Sequence, residues 1–172
     1  MIALKKILVA TDFSEPSDAA LAYGRELART FGASLTVLHI VDNILTRAYG
    51  TDGVVLADPE LQREIETSAQ RQVDASLFDE DRQAMGAVGV VITSNSPSAA
   101  IVTYARDAAI DLIVMGTHGR GALAHFLMGS VAERVVRMAP CPVLTVRDRE
   151  REFVRPDTLV ALARAGANVR YA

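Results

Sequence analysis

Tryptophan is missing from this chain and cysteine nearly so, with Cys141 the sole example among 172 residues. No intramolecular disulfide can therefore form, and the cysteine usage suits a reducing compartment. Aromatic residues are scarce too, at 5% against an apolar total of 50%, so Ala, Val, Leu and Ile must build the core. Neither sign of charge is in large excess. A net charge of −3 removes the electrostatic case for DNA or RNA as a partner. The longest apolar runs are strand-length and fall well short of a membrane span. Met1-Ile-Ala-Leu-Lys5-Lys6 leads straight into a strand without signal-peptide organisation. These absences lead us to expect a cytoplasmic protein with one sizeable domain and no nucleic-acid or membrane partner.

What is present is a strict alternation of strand and helix patterns. Lys5 to Ala10 is a short apolar run read as strand one, buried on both faces. The polar turn Thr11-Asp12-Phe13-Ser14 follows, with Ser14 a candidate cap and Pro16 in the first turn of a helix that Gly32 ends. Ser34 to Val41 is strand two, and Asp42 to Ala57 reads as a loop. Asp58-Pro59 opens a long helix with the apolar stripe Leu61, Ile65, Ala69, Val73 and Leu77. Gly89 to Ser94 is strand three, and Ser96-Pro97 begins the third helix. Asp111 to Gly116 is strand four, Val131, Val135 and Met138 mark the fourth helix, and Pro142 to Val146 is strand five. Five strands alternating with four helices predict a doubly wound α/β domain, because each parallel strand needs a crossover. That domain spans 1–147. Residues 148–172 form a C-terminal extension, either a partly ordered surface segment or an arm that packs on a partner subunit.

The densest signal follows strand four: Gly116-Thr117-His118-Gly119-Arg120, then Gly129-Ser130 opening a helix. Glycines that let the backbone come close, set before a helix N-terminus, make a phosphate cradle. Ser130-Val131-Ala132-Glu133 has the spacing of a capping box, predicting Ser130 as the cap with Glu133 reaching back.

Gly116-x-x-Gly119, nine residues, then Gly129-Ser130 resembles the nucleotide-binding motif of the universal stress protein family. The opening strand with Thr11-Asp12-Phe13-Ser14, and Pro140-Cys141-Pro142-Val143-Leu144 before the last strand, are similar to that family as well. The resemblance covers about residues 4 to 147. It implies a five-stranded parallel sheet of order 3-2-1-4-5, the Rossmann-like fold of the adenine nucleotide alpha hydrolase-like group, with Asp12 and Gly116 facing each other across one crevice. It also implies ATP (or ADP or AMP) as ligand. Ala10, Thr11 and Asp12 would line its ribose and adenine side, with Asp12 near the ribose or a phosphate-bound Mg²⁺. Ile40 would present its backbone to adenine, and Met115 and Gly116 would flank the ribose. His118, Gly119, Gly129, Ser130, Val131 and Ala132 would hold the phosphates. A homodimer through strand 142–146 and an unidentified regulatory protein partner belong to the same expectation. Two positions depart from the family pattern. Asn95-Ser96-Pro97 stands where many members have Gly-x-Pro, Asn being tolerant of the left-handed region, and Ala132 replaces a hydroxyl residue.

The other polar candidates have plainer readings. Arg120 either reaches a terminal phosphate or stands in solvent. His39 reads as a core or subunit-edge residue, His125 as packing, and Cys141 as an inert buried thiol. The leading function is an ATP-binding stress-response module without catalytic residues. A slow ATPase or adenylyl-transfer enzyme and a nucleotide-free dimerisation module are the alternatives; no Walker-type loop with Lys-Ser/Thr is present to favour the enzyme.

Overall fold

The computed structural model describes residues 2–47, 58–117 and 129–147. Five strands, β1 (Lys6–Thr11), β2 (Ser34–Val41), β3 (Val88–Thr93), β4 (Leu112–Gly116) and β5 (Val143–Val146), form one sheet in the order β3-β2-β1-β4-β5. Every pairing is parallel, with Ala10 opposite Met115 and Thr11 opposite His39. The expected architecture and strand order are therefore present. Strand limits differ from the expected ones by at most a residue.

The helices are α1 (Glu15–Phe31), α2 (Ile44–Arg47), α3 (Pro59–Ala75), α4 (Asp79–Met85), α5 (Pro97–Asp107) and α6 (Ser130–Met138). Alternate residues of β1 feed two separate cores. Ile7 and Val9 pack with residues of α1, with Val73 of α3 and with Met85 of α4, whereas Leu8 and Ala10 pack with residues of α5 and α6. Ile7, Leu8 and Val9 are fully buried, which is why β1 reads as a continuous apolar run. Helix α1 lies so close to the sheet that a Cβ at Gly24 would come within 2.3 Å of Val9 Cγ2. It ends where Gly32 turns left-handed (φ 62°) and the Ala33 N–H reaches the Ala28 carbonyl at 2.9 Å. At the opposite edge, the Asp111 carboxylate accepts the Lys5 and Lys6 N–H groups at 2.7 and 2.9 Å, which holds its pKa below the usual aspartate value.

Several local expectations need correction. The segment expected as a loop from Asp42 contains α2, whose start is held by Asn43 Oδ1 accepting the Leu45 N–H at 3.1 Å. The long helix does begin at Asp58, whose carboxylate caps the Glu60 N–H at 2.8 Å. It stops before Leu77, however, and Leu61 of the expected stripe is 47% exposed. Gln62 is buried instead, spanning the Ile44 N–H at 2.9 Å and Glu66 Oε1 at 3.0 Å. Beyond it lies α4, a short helix absent from the expected pattern, four of whose seven residues are charged. Asp81, fully buried, accepts the Phe78 N–H at 3.1 Å and pairs with Arg25 of α1 at 2.8 Å. The Arg25 guanidinium also bonds the Ser76 carbonyl and sits 4.6 Å from the Phe78 ring centroid. Arg29 adds a second cationic partner for Asp81 at 3.2 Å.

This ion pair fastens α4 to α1, and its burial makes it sensitive to the loss of either partner. Removing one member of a buried pair costs about 3–5 kcal/mol, against about 0.5 kcal/mol or less for an exposed helical pair. Asp81→Ala should therefore lower the urea midpoint sharply. Glu133→Ala, which breaks the exposed 2.9 Å Glu133–Arg137 pair, should leave it almost unchanged. Equal midpoints for the two variants would refute this account.

Candidate functional site

In a doubly wound sheet, ligands bind where chains leave two neighbouring strands in opposite directions. That place here is the carboxyl end between β1 and β4. The chain leaving β1 enters α1 on one face, and the chain leaving β4 re-enters through α6 on the other. Parallel register lines up Ala10, Thr11, His39, Ile40 and Met115 along the same edge.

The first wall is Thr11-Asp12-Phe13-Ser14, a turn held from several sides. Thr11 Oγ1 lies 3.1 Å from Ser17 Oγ and accepts the Phe13 N–H at 3.0 Å. Asp12 Oδ1 accepts the Ser14 N–H at 3.2 Å and the Ser14 hydroxyl at 2.5 Å. Ser14 precedes α1 as expected, but its hydroxyl serves Asp12 and makes no cap bond; its carbonyl takes the Ser17 and Asp18 N–H groups, both at 2.9 Å. Phe13 has φ 60°, a left-handed conformation that costs a non-glycine residue about 1–2 kcal/mol. His39 meets this turn from β2. Its Nδ1 lies 2.8 Å from the Thr11 carbonyl, and its ring centroid is 4.4 Å from that of Phe13. Sequence reasoning assigned His39 to the core or a subunit edge. The missing signal was the β1–β2 register, which only the folded sheet supplies. Burial and the Asp12 charge both raise the pKa of nearby Asp18, with Arg25 opposing them, so this wall is acidic.

The second wall begins at Gly116. A Cβ there would sit 3.0 Å from the Pro16 carbonyl carbon and 3.1 Å from its oxygen, so glycine lets β4 reach the first turn of α1. Thr117, buried, donates its N–H to the Val146 carbonyl at 2.8 Å and receives the Gly129 N–H on its own carbonyl at 2.7 Å. The chain thus departs from β4 and returns to α6 at adjoining points. His118, Gly119 and Arg120 lie outside the described residues, as does His125.

The helix start differs by one residue from the capping-box expectation. Gly129, extended at φ −68° and ψ 151°, is the N-cap, and Ser130 is the first helical residue. The Glu133 carboxylate does not reach back, because it pairs with Arg137 at 2.9 Å; its N–H makes the first intrahelical bond, to the Gly129 carbonyl. Ser130, Val131 and Ala132 accordingly head α6, where the helix dipole and backbone donors favour an anion.

Between the walls the lining is apolar. Ala10, Met115 and Ala132 are buried in one cluster, with Ile40 and Val131 packed against it half-buried. The side chains of Met115 and Ala132 belong to the core, which leaves their backbone to face a ligand. Asn95 also departs from expectation: Phe13 and Ala109 are the non-glycine residues with positive φ among those described. Asn95 instead accepts the Asn43 N–H at 2.9 Å and donates to Thr46, tying the loops after β3 and β2 together. Among the described residues no three His, Cys, Asp or Glu side chains gather as a metal site. Cys141 is half-buried and not fully buried as expected, and burial pushes its thiol pKa up against a backbone hydrogen bond from Ile113. A separate shallow recess of about 320 Å³, lined by Glu66, Thr67, Gln70, Val91 and Thr93, lies on the β3 edge away from the crevice.

Comparison with known proteins bears on this geometry. Residues 3–147 match the model of the universal stress protein family. A universal stress protein of Methanocaldococcus jannaschii is 33% identical over 148 residues, covering 86% of this chain and 85% of that protein. Among solved structures, the universal stress protein UspA from Lactobacillus plantarum aligns with a TM-score of 0.68 at 28% identity, covering 86% of this chain and 100% of that one. The fold is shared with the universal stress protein from Archaeoglobus fulgidus in complex with dAMP, at a TM-score of 0.51 and 22% identity, with 85% and 99% coverage.

The contact between Gly116 and Pro16 joins the two walls and can be tested directly. Gly116→Ala needs Pro16, met mostly at its backbone, to give by a few tenths of an ångström, and such overpacking costs about 1–3 kcal/mol. Thermal unfolding should show a clear fall in Tm. An unchanged Tm would mean that the walls are not in the close contact described.

Proposed function

The chain belongs to the universal stress protein family, and we propose that it is an adenine-nucleotide-binding regulatory module acting in the cytoplasm in a stress response. The observation that carries this reading is the reversal between β1 and β4, with the Asp12 turn on one side and the head of α6 on the other. In this reading the Ile40 backbone meets adenine, and the ribose sits among Ala10, Thr11, Asp12, Met115 and Gly116. The N–H groups from Gly129 to Ala132 take the phosphates, joined by His118, Gly119 and Arg120. The Asp12 carboxylate would stand near the ribose or near a Mg²⁺ carried in by the phosphates. The dAMP complex of the Archaeoglobus fulgidus relative supports an adenine nucleotide as the ligand class, with ATP the form proposed here.

We further propose a homodimer through the segment 142–146. Among the described residues β5 pairs with β4 alone, which leaves its outer edge for a second copy. Such an assembly would bring nucleotide occupancy to a surface that a regulatory protein partner could read.

Denaturing the purified protein and separating the supernatant by anion exchange should release an adenine nucleotide, and titration calorimetry should detect ATP uptake by nucleotide-free protein. Gly129→Leu has a backbone conformation open to leucine but places a side chain at the head of α6, so it should weaken ATP binding by about tenfold or more. The reading fails if the wild-type protein neither releases nor takes up nucleotide. Light scattering after size exclusion should give twice the chain mass; a monomer would remove the β5 pairing.

A further inference from the structure

The turn at the end of β1 contains a conformation that its own sequence disfavours. Phe13 occupies φ 60° with no glycine to make it easy, so neighbouring structure must hold it there. Thr11, Asp12, Ser14 and Ser17 of the β1–α1 segment bond one another within the turn. His39 approaches from a different strand and holds the turn at two points. A carbonyl can only accept, so the 2.8 Å contact with Thr11 requires a proton on His39 Nδ1. The His39 ring also packs on Phe13 at 4.4 Å with a 36° tilt, on the side chain of the strained residue itself. Its place is set by the sheet, because Thr11 and His39 are register partners.

We propose that His39 is a positioning residue for the nucleotide site: from β2 it latches the Thr11-Asp12-Phe13-Ser14 turn and so fixes where the Asp12 carboxylate stands. Its effect on affinity rests on the nucleotide-binding reading above. The next residue along β2 is Ile40, assigned to adenine, so one strand would set both ends of the nucleoside: the base directly and the Asp12 side through the latch. Loss of the latch lets Phe13 relax towards negative φ, and a nucleotide must then re-order the turn as it binds.

Two substitutions separate the hydrogen bond from the volume. His39→Leu keeps an apolar side chain and removes the donor. His39→Asn loses the ring but places an amide N–H at the reach of Nδ1 from Cγ. By calorimetry with ATP and Mg²⁺, His39→Leu should bind about tenfold more weakly than wild type, and His39→Asn should stay within about threefold. In nucleotide-free protein, amide exchange at Phe13 and Ser14 should quicken in His39→Leu and stay near wild type in His39→Asn. A fall in Tm for His39→Leu with unchanged ATP affinity would reduce His39 to a packing residue and overturn the proposal. Should wild-type protein take up no nucleotide, the binding reading falls on its own. Exchange rates still decide the latch in that case: unchanged rates in His39→Leu overturn it, and faster rates restored by Asn uphold it.

Discussion

Gly116 packs so closely on Pro16 that a Cβ there would lie 3.0 Å from the Pro16 carbonyl carbon, and this end of the sheet is tied together around that contact. It brings the strand on one side of the order reversal against the first turn of the helix that leaves the other. One residue further on, Thr117 bonds Val146 of β5 and Gly129 at the head of α6. Strand β4 is thus joined, within two residues, to α1, β5 and α6. A displacement of β4 along its axis would break all three connections together, so the backbone at this end of the sheet keeps a defined arrangement.

The energetic weight of the fold lies elsewhere. Two aliphatic cores, one on each face of the sheet, bury Ile7, Leu8, Val9, Leu35, Val37, Ile113 and Val114 almost completely. Each such side chain contributes about 1.5–3 kcal/mol by leaving water. The buried Arg25–Asp81 pair adds little net energy, since its desolvation offsets its attraction, yet it dictates where α4 docks. Against this background the strain at Phe13 is affordable. It sits on a turn where Phe13 packs against one core, Ser14 and Ser17 bond from within the same segment, and His39 reaches in from β2.

Much of this architecture was legible in the sequence. The fully apolar run of β1, the cap-then-proline pair Asp58-Pro59 and the terminating Gly32 each have a local cause, and each stands where the pattern places it. The features that escaped depend on partners far along the chain. Helix α4 looks like a solvated charged stretch until Asp81 meets Arg25, 56 residues away. Ser-x-x-Glu fits a capping box at Ser130, but Arg137 competes for the Glu133 carboxylate and the helix starts from Gly129. Asn95 suggested a left-handed turn by its type, whereas its amide is used to bridge to Asn43 and Thr46. His39 could not be read as a support for Asp12 without knowing that β1 and β2 are neighbours in that register.

The character of the candidate site follows from which atoms it can offer. Met115 and Ala132 have their side chains in the core, and Gly116 and Gly129 have none, so a ligand would meet mainly N–H groups and carbonyls there. Backbone donors at a helix head recognise charge and shape with little dependence on residue identity. In the proposed reading, discrimination among phosphorylated ligands would come from contacts at the end of β2 around Ile40 and from the acidic turn at Asp12. Such a site binds well only if its parts are in place beforehand, because each loop ordered on binding subtracts from affinity. The supports around the Asp12 turn act on that term, and they do so with residues that need not touch a ligand themselves.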